Sequence, residues 1–451
     1  MNIHFISIGG SAMHNLALAL QAKGDGITGS DDAIFEPSKS RLKAKGLLPK
    51  EMGWFADKIN SNIDAIVIGM HAKADNPELI RAQELGLKIY SYPEFLYEHA
   101  KNKTRVVIGG SHGKTTITSM ILHVLNYHDI NVDYMVGAQL EGFDRMVHLT
   151  KENEFMIIEG DEYLSSPIDL RPKFHLYKAN IALLSGIAWD HMNVFPTFEN
   201  YVNQFRIFID TMVDGGILVY NEEDEEVNKI VKEATKSIKK QAYRTPDYTI
   251  ENGQVFVEYS EGKVPLEIFG KHNLQNLEGA RLICQGIGVN EEEFYQAISS
   301  FSGASKRLEK LAEGKNSVIF KDFAHSPSKV KATANAVKEQ YADKKVLACL
   351  ELHTYSSLNA DFLNLYQNAL DAADVAVVFY SPHAVEIKKL KPISKEQISK
   401  AFKRDDLIIY TDPKEFKEFL FVQNLENTAL LFMSSGDYGG LDLEEVKSLA
   451  K

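Results

Sequence analysis

The 451-residue sequence predicts an α/β protein of about three domains, built on parallel sheets with crossover helices. Its length comes first: one hydrophobic core stops growing beyond roughly 250–300 residues, so a chain this long divides. The second observation is alternation, because short apolar runs trade places with segments of helical spacing along most of the chain. A third is the stretch Arg105–Thr116, where an apolar run, a glycine turn and a Lys-Thr helix start follow one another.

In the first segment, Ile3–Ile8, Gly26–Ser30 and Asp64–Gly69 read as strands. Helices are expected around Met13–Ala22, Pro37–Lys45, Asn76–Leu85 and Pro93–Ala100, two of them opened by proline in the first turn. The turn Gly9-Gly10-Ser11 offers a pyrophosphate a helix N-terminus, and Asp31 ends the second strand where a ribose-binding acid would sit. The dinucleotide fingerprint is degenerate, with Ser7 at its first glycine position and His14 near its last, so a plain tight turn is the competing reading. A second segment carries strands at Arg105–Gly109, Phe155–Ile158, Asn180–Leu184 and Gly216–Tyr220, a β-rich patch at Tyr248–Phe269, and helices at Asn273–Gly286 and Asn290–Phe301. The small and polar run Phe301–Ser305 reads as a hinge. A third segment repeats the alternation, with strands at Ser317–Phe320, Lys345–Glu351, Val375–Tyr380, Leu407–Tyr410 and Ala429–Met433.

Composition narrows the function classes. A net charge of −12 argues against a polyanionic nucleic-acid partner. Cys284 and Cys349 lie in apolar runs without metal-ligand spacing and read as buried thiols. No secretory leader precedes the first strand and no apolar run approaches the roughly 18 residues of a membrane span, so the chain is expected in the cytoplasm.

Gly110-Ser111-His112-Gly113-Lys114-Thr115-Thr116 carries the chemistry. Backbone amides at a helix N-terminus face an anion, the Lys114 ammonium neutralises it, and the Thr115 hydroxyl can ligate Mg²⁺. Magnesium on a triphosphate needs hard oxygen ligands at a nearby strand end. Phe155–Ile158 runs straight into Glu159-Gly160-Asp161-Glu162, three acids that ask for a cation. Trp189-Asp190-His191-Met192-Asn193 follows another apolar run, and His191 can complete a metal site with Asp190 orienting its ring; a structural pair is the alternative. In Gly270-Lys271-His272-Asn273-Leu274-Gln275-Asn276, Asn273 reads as a helix N-cap, or with Asn276 as a reader of an adenine edge. Arg307 could meet a γ-phosphate, and Asp322, in Lys321–Pro327, a ribose hydroxyl pair; both also read as isolated surface residues.

Taken in order, these pieces resemble the Mur ligases, the ATP-dependent amide-bond ligases of peptidoglycan precursor synthesis. Five motifs carry the likeness: the phosphate loop at 110–116, Glu159, Asp190–Asn193, Gly270–Asn273 and Asp322–Pro327. The resemblance implies a Rossmann-like N-terminal domain over 1–103 that binds a UDP-sugar, a central P-loop ATPase-like domain over 104–304, and a Rossmann-like C-terminal domain over 305–451 that brings the amino component. It implies ATP as co-substrate, Mg²⁺ as cofactor, and UDP-N-acetylmuramate with an amino acid or peptide as partners, in a monomer or homodimer. Attack of the muramyl carboxylate on the γ-phosphate would give an acyl phosphate and ADP, and an amine would then attack the acyl carbon and displace inorganic phosphate through a tetrahedral intermediate. Lys114, Glu159, His191 and Arg307 would be catalytic, and Thr115, Glu159 and His191 would hold metal. Gly110, Ser111, His112, Gly113, Lys114, Thr115, Thr116, His272, Asn273, Asn276, Arg307, Asp322 and His325 would bind ATP. Gly9, Gly10, Ser11, Ser30, Asp31 and His71 would take the UDP-sugar, and His353, Tyr355, Ser356 and Asp437 the amino component.

Within the family, Ser30–Pro37, Glu162-Tyr163 with Lys173-Phe174, and Met433–Gly440 resemble the murein peptide ligases, which attach a whole tripeptide, L-alanyl-γ-D-glutamyl-meso-diaminopimelate. His353-Thr354-Tyr355-Ser356 is similar instead to the His-Arg-Tyr-Ser of the L-alanine-adding ligases, with Thr354 where they have arginine. The tripeptide is the favoured amine at this point and L-alanine the alternative. Asn193 replaces the acid that usually closes its motif, and no lysine between His191 and Lys229 is available for the carbamylated metal bridge of some members. Other classes that would use a phosphate loop or a glycine turn are a P-loop kinase, a nicotinamide oxidoreductase and a non-catalytic muramyl-nucleotide sensor.

Overall fold

Continuous apolar runs become the inner strands of parallel sheets, because helices cover both faces of such a sheet. A computed structural model describes residues 1–70, 72–137, 143, 145–189, 194–251, 253–304 and 307–450. Its first sheet comprises β1 (Asn2–Ile6), β2 (Gly26–Ser30), β3 (Ala65–Ile68) and β4 (Lys88–Ser91), in the order β2-β1-β3-β4 and parallel throughout. Between them lie α1 (Ser11–Ala22), α2 (Ser38–Ala44) and α3 (Pro77–Glu84), and α4 (Tyr92–Ala100) follows β4. Proline stands in the first turn of α3 and of α4, whereas Pro37 falls one residue outside α2, at its N-cap position. Asn76 caps the amides of Glu78 and Leu79, and Ser91 forms a reciprocal capping box with Glu94.

The second sheet is larger. It contains β5 (Thr104–Gly109), β6 (Asp133–Met135), β7 (Val147–His148) and β8 (Phe155–Glu159). A hairpin of β9 (Leu164–Ser166) and β10 (Asp169–Pro172) stands apart from it, before β11 (Ile181–Leu184), β12 (Ile217–Asn221) and β13 (Lys239–Tyr243). The order is β13-β12-β11-β5-β8-β6-β7, parallel except for β7. Helix α5 (Lys114–Tyr127) leaves the end of β5, and α6 (Lys173–Leu176), α7 (Phe198–Thr211) and α8 (Glu225–Glu233) come later in the chain.

An antiparallel three-stranded sheet follows, β14 (Tyr248–Glu251), β15 (Gln254–Tyr259) and β16 (Gly262–Leu266). Then come α9 (Lys271–Ile287) and α10 (Glu291–Ile298). The last sheet has β17 (Glu309–Glu313), β18 (Ser317–Asp322), β19 (Lys345–Leu352), β20 (Val375–Tyr380), β21 (Ile408–Tyr410) and β22 (Thr428–Met433) in the order β17-β18-β22-β19-β20-β21. Only its edge strand β17 runs antiparallel, and α11 (Pro327–Gln340) connects β18 to β19. The described residues form two compact units. One comprises Met1–Ile187, Val202–Tyr243 and Gly279–Val289; the other comprises Ala188–Tyr201, Arg244–Glu278 and Asn290–Lys451. Cys284 and Cys349 are free and buried, as expected. No helix among the described residues is long and apolar enough to cross a membrane.

Two buried ionic groups lock the start of the second sheet. The Arg105 guanidinium donates to the carbonyls of Tyr177, Lys178, Ala100, Lys101 and Lys103, tying α4 and the approach to β11 onto β5. Asp133, fully buried, accepts from Thr150 N (2.9 Å), Thr150 Oγ1 (2.7 Å) and Asn153 Nδ2 (3.0 Å), and pairs with His99 and Lys103. Burial alone would raise its pKa, but these donors outweigh it and hold the carboxyl at about 2. A depressed carboxyl contributes stability that is complete above its unfolded value near 3.8 and lost as pH falls through its folded value. We therefore expect about 2 kcal/mol of stability to disappear between roughly pH 5 and pH 2. Denaturant titrations of wild type and Asp133→Asn over that range check this: the wild-type advantage should shrink toward low pH, and a constant difference would contradict it.

Candidate functional site

The phosphate loop is shaped by two glycines that no side chain could replace. Gly110 (φ 133°) lies against Ser185 so closely that a Cβ there would overlap the serine hydroxyl, and Gly113 (φ 80°) caps α5 in the left-handed region. Ser111 N donates to Gly186 O at 2.9 Å, and the Ser185 hydroxyl bonds to His112 O, pinning the loop to the strand end beside it. No side chain caps α5, so its first amides remain for an anion.

Around this helix start the first unit assembles its charged groups. Thr115 Oγ1 donates to Glu159 Oε1 at 2.8 Å, and Gly137 N donates to Glu159 Oε2 at 2.8 Å. Glu159 ends β8, whose register beside β5 pairs it with Ile108, and this is what carries the carboxylate to the loop. The Lys114 ammonium contacts Glu162 Oε2 at 2.8 Å, with Glu162 fully buried. Burial would weaken the ammonium, but Glu162, Asp161 and Glu159 outweigh it and raise the lysine's pKa, so Lys114 stays charged at neutral pH. Lys173 in turn pairs with Asp161 at 2.6 Å. The strand-tip acids are thus compensated by lysines and amides, as the sequence required. Glu162 is the residue whose role sequence reasoning misses: in the sequence it is one acid of a cluster and part of the Glu162-Tyr163 likeness, and only the fold shows it facing Lys114.

Glu159 and Thr115 are hard oxygen donors, and Mg²⁺ is usually held by one or two carboxylates with substrate phosphates and water completing the shell. The donor set therefore fits magnesium brought by a nucleotide. No group of three or more His, Cys, Asp or Glu side chains with metal-site geometry occurs among the described residues. His191, its neighbours Asp190–Asn193, and His71 lie outside the described residues.

At the end of the first sheet, the Asp31 carboxylate accepts from Gly9 N at 2.7 Å and braces the glycine turn from inside. Burial is the main reason its pKa is raised, with Asp32 adding to the effect and the Gly9 amide opposing it. Gly10 caps α1 without a side chain, Ser11 is exposed at its first position, and Ser30 is fully buried. A depression of about 790 Å³ in this unit is lined in part by Lys103 and Arg105. Both are already committed, Lys103 to Asp133 and Arg105 to backbone carbonyls.

The second unit gathers His272, Arg307, Asp322 and His325. Helix α9 starts at Lys271, so Asn273 is not its N-cap; it lies in the first turn and donates from Nδ2 to Phe269 O at 2.9 Å. Asn276, one turn on, is equally buried. Asp322 closes β18 and accepts from Leu308 N and Ala324 N, both at 2.6 Å. His272 has its pKa lowered by burial, with Asp322 pulling the other way. The Arg307 guanidinium lies 5.0 Å from the centre of the Phe323 ring, and His325 Nδ1 bonds to Phe323 O at 2.7 Å. Asp322 thus organises the turn that carries Arg307 on one side and His325 on the other.

The expected amino-component residues divide. Glu351, buried at the end of β19, accepts from Tyr438 N at 2.9 Å and from the Ser434 hydroxyl, and lies 3.5 Å from His353 Nδ1. It joins His353 to the 434–438 loop, which also carries Asp437 beside a cavity of about 300 Å³ that Lys321, Ser434, Asp442 and Glu444 help to line. Tyr355 is exposed and Ser356 buried; neither lines that cavity.

An uncapped helix behind a glycine loop, a lysine at its first position, and a threonine in its first turn bonded to a strand-end glutamate make up the phosphate-binding corner of an α/β nucleotide-binding fold. Its family follows from the comparisons. Residues 2–104 match the Mur ligase family catalytic-domain model and residues 108–284 the Mur ligase middle-domain model. The UDP-N-acetylmuramate–L-alanine ligase of Sulfurihydrogenibium sp. (strain YO3AOP1) is 30% identical over 383 residues, 83% of this chain and 82% of that protein. In fold, the chain is similar to the murein peptide ligase of Psychrobacter arcticus 273-4 (TM-score 0.65, 22% identity, 100% of this chain and 99% of that one). It is also similar to the UDP-N-acetylmuramate-alanine ligase of Thermotoga maritima (TM-score 0.68, 20% identity, 100% and 98%). The chain belongs to the Mur ligase family and is an ATP-dependent, ADP-forming ligase with the family's three-domain α/β architecture.

Proposed function

We propose that the protein joins the carboxylate of UDP-N-acetylmuramate to the amine of L-alanine at the expense of ATP, in the cytoplasm. The observation that carries the choice of amine is the 30% identity, over most of both chains, to a ligase named for L-alanine. This reverses the preference for the tripeptide that the motifs Ser30–Pro37 and Met433–Gly440 suggested. The tripeptide stays as a second reading, supported by those motifs and by the fold likeness to a murein peptide ligase.

In this reading residues 1–103 take the sugar nucleotide, 104–304 ATP, and 305–451 the amine. Lys114 and the first amides of α5 neutralise the transferring phosphoryl group, which a carboxylate nucleophile would otherwise repel. Lys114 is held in place by Glu162. Thr115 and Glu159 would hold Mg²⁺, which supplies charge neutralisation at the phosphates when bound. Asn273, Asn276, Asp322 and His325 are assigned to adenine and ribose, Arg307 to the γ-phosphate. His353 and Asp437 are assigned to the amine-bearing substrate, with Glu351 fixing the imidazole.

Product analysis separates the two amines. With UDP-N-acetylmuramate and MgATP, L-alanine should give a nucleotide product heavier by one alanyl residue at a kcat/KM above that for the tripeptide. A higher kcat/KM for the tripeptide would reverse the assignment.

A further inference from the structure

The first sheet ends beside a cation that no sequence motif announced. Lys58 closes the short 3-10 turn Ala56–Lys58. Its ammonium lies 4.3 Å from the centre of the Phe55 ring and donates to Ser30 Oγ at 3.1 Å. It pairs with no carboxylate among the described residues. In a chain with 62 acidic against 50 basic residues, a half-buried lysine whose contacts are a ring and a hydroxyl, with an acid, Glu78, on the far side of that hydroxyl, stands out.

Its position matters more. Ser30 ends β2 opposite Ile6 of β1, and the Ser30 carbonyl accepts from Ser7 N (2.9 Å) and Ile8 N (3.1 Å) at the start of the glycine turn. The turn leads into α1, twelve residues long and without a side-chain cap. Ser7 itself is held at φ 72°, is 1% exposed, and its hydroxyl has no hydrogen-bond partner. Asp31 and Asp32 put negative charge at this same turn, so an anionic group docking there needs a cation.

A buried scaffold presents that cation. Phe55 N donates to Glu78 Oε1 at 2.9 Å, Glu78 Oε2 meets His4 Nε2 at 3.2 Å, and His4 Nδ1 meets Thr28 Oγ1 at 2.8 Å. His4 is 1% and Glu78 0% exposed. The pair fixes Phe55, whose ring carries Lys58, and Glu78 also bonds to the Ser30 hydroxyl that receives the Lys58 ammonium.

We propose that Lys58 is the counter-charge for the diphosphate of the sugar nucleotide, and that Glu78, held by His4, is its positioning residue. This rests on the sugar-nucleotide reading of residues 1–103 and adds to it a residue outside every motif. Titration calorimetry on the full chain tests it, with UDP and uridine as probes and wild type, Lys58→Met and Lys58→Arg compared. Lys58→Met should lose about tenfold in UDP affinity and flatten its salt dependence, leave uridine and ATP binding unchanged, and be largely restored by arginine. Glu78→Gln should weaken UDP binding in wild type but add nothing in the Lys58→Met background. Equal UDP affinities and salt slopes for wild type and Lys58→Met overturn the assignment of Lys58. An additive loss in the double variant overturns the positioning role. Wild type that takes up neither UDP nor UDP-N-acetylmuramate overturns the sugar-nucleotide reading and this assignment with it.

Discussion

Lys114→Ala should lower kcat for ATP-dependent ligation by roughly a thousandfold or more, the scale on which removing one preorganised transition-state charge acts. The ammonium stands at the first position of α5 and is kept protonated by three carboxylates. Its loss would leave Glu162, fully buried, without its 2.8 Å counter-ion. That exposes a complication, because an unpaired buried carboxylate is itself costly. Lys114→Met combined with Glu162→Gln removes the pair without leaving a charge, so it should fold like wild type and remain inactive. UDP-sugar binding should survive in both variants, because its proposed site rests on the first sheet. Activity within tenfold of wild type in the double variant would contradict the role given to Lys114.

Glu159→Gln should cost about a hundredfold to a thousandfold in kcat and shift Mg²⁺ dependence to higher concentration. Glutamine can still accept from Thr115 Oγ1 or Gly137 N, so the local hydrogen bonds are partly kept while the negative charge is removed. The sign is what discriminates. If Glu159 serves only to hold the 137 turn, the amide should be tolerated and the Mg²⁺ curve should not move. If it is a metal ligand, the curve moves and Glu159→Asp recovers part of the loss. Initial rates against free Mg²⁺ for the three proteins decide between them.

Much of this architecture was legible because buried parallel strands announce themselves. Gly26–Ser30 and Val375–Tyr380 were read with the bounds they have, and Phe155–Ile158 fell one residue short of β8. What escaped were strands whose side chains carry no apolar pattern. β13, Lys-Lys-Gln-Ala-Tyr, is the edge of its sheet and mostly solvated, so its only signal is pairing with β12. β17 is equally polar and runs antiparallel at an edge. The phosphate loop and Glu159 could be found in sequence because their chemistry requires fixed spacing along one strand–turn–helix unit. Lys58, Glu162 and Glu351 could not. Each acts through a partner distant in the chain, Lys58 through Ser30, Glu162 through Lys114 and Glu351 through Tyr438. Only sheet register brings such pairs together. Asn273 shows the opposite error: its residue type suited a cap, but the helix begins two residues earlier at Lys271.

Oxygen-isotope transfer tests the ligase chemistry most directly. UDP-N-acetylmuramate labelled with ¹⁸O in its carboxylate, incubated with the protein, MgATP and L-alanine, should release inorganic phosphate carrying one ¹⁸O per molecule, because the carboxylate oxygen that attacks the γ-phosphorus leaves with it. Unlabelled phosphate released alongside amide product, or ATP hydrolysis indifferent to the sugar nucleotide and the amine, would contradict the account.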